Sequence, residues 1–106
     1  MPKYMFHVNY VGEGIKGLLK EGGTSRRAVA EKVIQSLGGS LEAFYFAFGE
    51  TDAYVIADLP DNVSSSAVAL TVSASGVVTV KTTVLLTADE VDAAAKKTPS
   101  YRPPGQ

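Results

Sequence analysis

The 106-residue chain contains no cysteine and a single histidine, His7. Without thiols there can be no disulfide, no cysteine nucleophile, no iron–sulfur cluster and no thiolate zinc site. With one imidazole, a metal site would have to be mostly carboxylate, and no such cluster stands out along the chain. No metal and no cofactor are therefore expected. A charge excess is also missing: ten Lys and Arg face eleven Asp and Glu, for a formal charge of −1. There is no basic stripe to hold a phosphate backbone, so a nucleic-acid partner is not expected. No apolar run approaches a membrane span, and the start "MPKYMFHVNY" lacks the layout of a signal peptide. A cytoplasmic protein without membrane association is the expectation.

What remains is ordinary for a globular domain, at 45% apolar and 20% charged residues. The length suits one domain, and folding at this size hides roughly two-thirds of the unfolded surface, so the core is thin. "KYMFHVNYV" (3–11) reads as a first strand. "GEGIKGLLKEGG" (12–23) predicts a short helical turn with Ile15, Leu18 and Leu19 at helical spacing. "TSRRAVAEKVIQSLGG" (24–39) predicts a helix with Thr24 as its cap and Ala30, Val33, Ile34 and Leu37 on one stripe. Gly38 suits its left-handed stop.

Two further strands, "SLEAFYFAF" (40–48) and "DAYVIADL" (52–59), flank a short turn. Asp61 caps a second main helix with Val63, Ala67, Leu70 and Ala74 as its predicted inner stripe and Gly76 as its stop. "VVTVKTTVLL" (77–86) is the fourth strand. Thr87 with Glu90 fits a capping box, and Leu86 with Val91 a hydrophobic staple, opening a last helix to about Lys97. Residues 1–97 form the domain, and 98–106, with three prolines, form a tail.

Strand, helix, strand, strand, helix, strand is the split βαβ order of an α+β, ferredoxin-like domain. With both crossovers right-handed, it gives an antiparallel sheet of order 4-1-3-2 with the helices on one face. The other face should alternate with polar residues if it meets water. It does not do so cleanly: Phe44, Phe46 and Phe48 share one face of the second strand and Ala43, Tyr45 and Ala47 the other. Tyr54 and Ile56 oppose Ala53, Val55 and Ala57 on the third. Leaving such a face bare would expose several hundred Å² of apolar surface. A homodimer closed sheet-to-sheet is expected, the alternative being a C-terminal helix folded back over that face.

The string "GETD" after an aromatic strand, then "AYVIADLPD", "SASG" and "VVTVKT", together with "MPKYMFHVNYVGEGIKGLLKEGGTSR" at the start, resembles the GYD-domain family. The match runs over roughly residues 1 to 97. The resemblance implies a ferredoxin-like subunit of the dimeric α/β-barrel superfamily. Gly49 and Asp52 keep the name-giving element, but Thr51 stands where its tyrosine would be, so this chain lacks that phenol.

For chemistry, the candidates are His7 as an acid–base group and Asn9, Tyr45, Lys81 and Thr83 as ligand-binding groups. On strand parity they would make a polar patch among Ala43, Ala47, Ala53, Val55 and Ala57, a combination suited to a ligand cavity. The competing reading is hydrogen bonding across a dimer interface. Gly49 and Asp52 suit a turn, glycine by allowing positive φ and aspartate by bonding backbone N–H groups. Arg26 or Arg27 could anchor an acidic ligand, and the "KEGG" segment (20–23), with Lys16 and Lys20 beside it, could form a lid. "GEGIKG" lacks Walker A spacing. The expectation is a protein that binds a small, partly apolar molecule between sheet and helices. It is either a cofactor-independent enzyme or a noncatalytic binding or assembly module.

Overall fold

Strand β1 (Lys3–Tyr10) alternates bulky aromatic residues with polar or flexible ones and lies in the middle of the sheet. In the computed structural model, which describes residues 1–106, seven elements follow it. They are α1 (Glu13–Glu21), α2 (Gly23–Ser36), β2 (Ser40–Phe46), β3 (Ala53–Asp58), α3 (Asn62–Ser73), β4 (Val78–Leu85) and α4 (Ala88–Ala95). The strands form one antiparallel sheet in the order β2-β3-β1-β4. The fold is α+β and ferredoxin-like, with the sheet order that the sequence of elements predicts.

One face of the sheet is covered. Tyr4 and Phe6 from β1, Val55 and Ala57 from β3 and Leu59 just beyond it meet Ile34 of α2 and Val68 of α3 in a single buried cluster. The Tyr4 hydroxyl donates to Asn62 Oδ1 at 2.7 Å, which ties β1 to the first residue of α3. Helix α2 rests on the β2 edge and α3 on the β4 edge. Gly14 sits where α1 touches the start of β4; a side chain there would run into the Val77 carbonyl oxygen.

The local signals for helix ends hold in most places. Asp61 accepts from the Ser64 N–H as N-cap of α3, and Thr87 with Glu90 forms the full capping box of α4. Gly38 and Gly76 take positive φ at the stops. Both capping carboxylates are held below their usual range, chiefly by the backbone N–H groups they accept from.

Three expectations need correction. Thr24 is not a cap: α2 begins one residue earlier, with Gly22 as N-cap and no side-chain capping bond. In α1 it is Gly14 that is buried, while Ile15 and Leu19 face outward. In α3 the buried stripe is Ser65 and Val68, with Val72 beside it, and Val63 and Leu70 are more than 70% exposed. That helix carries no charge in "NVSSSAVALTVS", so its periodicity offers two apolar stripes, and the Tyr4–Asn62 bond helps select between them.

Helix α4 is exposed at every position. It does not fold back over the free face of the sheet, and with the tail it forms an arm. The arm stretches the molecule to 57 × 33 × 23 Å, with a radius of gyration of 16.8 Å against about 13 Å for a compact chain of this length.

Burial, reinforced by the negative charge of Asp61, pushes the Tyr4 phenol up from its ordinary value. A raised folded pKa means stability that is complete below the unfolded value and lost as pH rises through the folded one. Tyr4 should therefore ionise late in an alkaline titration followed by ultraviolet difference absorbance, and it should do so with unfolding. Tyr4→Phe should remove that late component and lower stability by about 1 kcal/mol through the lost bond to Asn62.

Candidate functional site

The uncovered face of the sheet gathers most of the residues that the sequence singles out. His7 is paired across the ladder with Tyr54 on one side and Lys81 on the other, and Met5 lies between Ile56 and Thr83. His7 Nε2 lies 3.1 Å from Thr83 Oγ1. The imidazole also meets the edge of the Tyr54 ring, with centroids 5.4 Å apart and planes at 70°. Tyr45 stands opposite Tyr54 and is 72% exposed. At one end of this face Lys3 bridges Asp58 at 2.9 Å and Glu42 at 3.0 Å. Hydrogen bonds first to Asp58 and then to Glu42 hold its ammonium above the ordinary lysine value. Thus His7, Tyr45, Lys81 and Thr83 share one surface, as parity predicts.

Their expected surroundings differ. Ala53, Val55 and Ala57 lie on the opposite, helix-covered face and are buried there. Of the expected alanines Ala43, opposite Ile56, does share the His7 face, but the side chains nearest His7 are the larger Tyr54, Ile56 and Met5. The reason is the pairing register: His7 faces Tyr54, so the even-numbered residues of β3 join it. Tyr54 is thus the member that parity alone missed.

Asn9 and Asp52 do a different task. Asn9 Oδ1 accepts from the Asp52 N–H at 2.9 Å, and Asp52 Oδ2 accepts from the Tyr10 N–H at 3.0 Å. The two side chains clasp the β2–β3 turn to the end of β1, and the aspartate satisfies a backbone donor that β3 is too short to reach. Asn9 is therefore turned to the clasp rather than free to meet a ligand. Gly49 is not among the glycines with positive φ and has open space around it, so the conformational reason expected for it does not apply. Thr51, in the tyrosine position of the resemblance, is partly exposed in the same turn.

A second site lies on the other side of the sheet. Because α2 and α3 sit over opposite edges, the central strands are left with a gap above them. An apolar cavity of about 70 Å³ opens there, floored by Phe6, Val8 and Val55 and walled by Val33 of α2 and Val72 of α3. Thirteen of its fourteen lining residues are hydrophobic, and the other is Arg26. Next to it, under α1, is an outer cleft of about 250 Å³ with Glu13, Gly17, Leu18 and Glu21 along the helix side and Ser75 opposite. Tyr10, Arg26, Val72 and Val78 line both spaces, so they adjoin.

The spacing of Ile34 and Val33 in α2 signals that this helix packs inward. Nothing in the spacing signals that α2 and α3 would stand apart. His7 is separated from the cleft by the sheet itself. No three histidine, aspartate or glutamate side chains come together as metal ligands, and no helix is long and apolar enough to cross a membrane.

The clasp generates a prediction. Asp52→Ala should leave the Tyr10 N–H without its partner and cost about 1–3 kcal/mol in denaturant unfolding. Asp52→Asn, which keeps an acceptor, should recover most of the loss.

No curated protein and no solved structure matches the chain. The profile of the GYD domain does match, over residues 4–95, from the second residue of β1 to the end of α4. On that match, which covers most of its length, the chain belongs to the GYD-domain family.

Proposed function

We propose that this protein binds a small, partly apolar molecule in the cleft between its helices and its sheet, as a homodimer closed through the opposite sheet face. The observation that carries the ligand reading is the apolar cavity above β1 and β3. Phe6, Val55 and Val68 belong to the buried core, and partly buried Val8, Val33, Val72 and Val80 beside them complete the lining of this apolar space. Such a space is poorly hydrated and favours hydrocarbon. The outer cleft, with polar and charged edges, suits the remainder of the molecule.

The dimer reading is supported by the bare face. Met5, Ile56, Tyr54 and Tyr45 make an apolar band there, and α4 leaves it uncovered. A two-fold pairing of such faces is self-complementary. His7, Lys81 and Thr83 would then lie within the interface.

Binding is the favoured reading, because the inner cavity offers apolar contact along nearly its whole lining. The alternative is a cofactor-independent enzyme with His7 as acid–base group, which requires a substrate held between two facing sheets. On that alternative His7→Ala abolishes turnover; on the favoured reading it leaves ligand affinity unchanged.

Two measurements test the proposal. Val72→Trp should fill the cavity and abolish the amide shifts of Val8 and Val33 seen by NMR on adding 1-octanol, while the fold persists. Equal shifts in wild type and variant would overturn the cleft reading. A native mass spectrum should show a dimer that Ile56→Asp converts to monomer; a monomeric wild type would overturn the assembly.

A further inference from the structure

Arg26 is the one charged residue lining the apolar cavity, and it stands where the cavity meets the outer cleft. Its side chain is only 28% exposed. The contact it makes with another charge is loose: Arg26 Nη1 lies 3.6 Å from Glu21 Oε2, longer than a hydrogen bond. A guanidinium has five donors in a planar fork shaped for a carboxylate. Here that fork is half-withdrawn from water and weakly matched. Arg27, the neighbour in sequence, is exposed and lines neither space.

We infer that the cleft takes an organic anion, a monocarboxylate with a short aliphatic tail, and that Arg26 binds its carboxylate. This rests on the proposed ligand site and names the class of molecule it accepts. The tail occupies the inner cavity. Its roughly 70 Å³ is several times what one water needs, so a short alkyl chain fits. The carboxylate sits at the junction, within reach of the guanidinium, and any further substituent runs into the outer cleft.

Charge decides between ligand classes. A cation would meet Arg26 at the mouth of an apolar space. A neutral molecule would leave a partly desolvated guanidinium with only its long contact to Glu21. A carboxylate matches it bidentately and takes the place of Glu21. The Glu21 side chain is 44% exposed and can turn to water when displaced. Glu21 is therefore a built-in competitor, and its presence lowers the affinity for the anion.

The test uses the full chain and a series of n-alkanoates from butyrate to octanoate, each paired with the 1-alkanol of the same length, titrated by calorimetry. Wild type should bind the alkanoate roughly tenfold or more tighter than the alkanol, the margin of a charge-assisted hydrogen bond. Arg26→Gln should erase that margin and leave alkanol binding unchanged. Glu21→Gln should tighten alkanoate binding several-fold without touching the alkanol, and this gain does not depend on Arg26→Gln remaining folded. Equal affinity for acid and alcohol, with no response to either substitution, would overturn the anion inference and leave the apolar cleft standing. Binding of neither series would overturn the cleft reading and the inference together.

Discussion

Strand β1 is hydrogen-bonded on both sides, to β3 and to β4, so its alternation fixes which residues of three strands share a face. Tyr4, Phe6, Val8 and Tyr10 point to the helices; Lys3, Met5, His7 and Asn9 point away. A slip of one residue in either ladder would move His7 into the core and Phe6 into water. The clasp of Asn9 and Asp52 guards against that slip at one end, and the Lys3 bridge to Asp58 and Glu42 pins the other.

Because β1 divides the residues in this way, the molecule has two surfaces of different character. One is a flat band where aromatic and polar groups are exposed side by side. The other holds a small cavity whose walls are almost wholly hydrocarbon, opening beside a cleft with polar edges. Membership of the GYD-domain family accounts for the shared frame, and the particular valines, Arg26 and Glu21 account for what this chain could hold in it.

Much of the frame was legible in the sequence because it rests on local rules. Turn residues, caps and the order of strands and helices predicted the sheet order and the stops at Gly38 and Gly76. The inner stripe of α2 was readable for the same reason, since Arg27 and Lys32 mark its outer side. The inner stripe of α3 was not, because a helix without charges gives no such mark. Partners of His7 depended on cross-strand register, which parity constrains to one face but does not assign residue by residue. The cleft was the least legible feature. It arises from where two helices sit relative to each other, and that distance is a property of packing between elements far apart in sequence.

The separation of α2 and α3 has a mechanical side. Each helix rides on its own edge strand, α2 on β2 and α3 on β4, with β3 and β1 between them. Any change in the twist between those strands swings the helices apart or together. The width of the cleft is thus set by the sheet, a stiff element held by ladders of backbone bonds, rather than by a loop. Small rotations at the outer strands become larger displacements at the helix tips, so the aperture is geared to the curvature of the sheet beneath it.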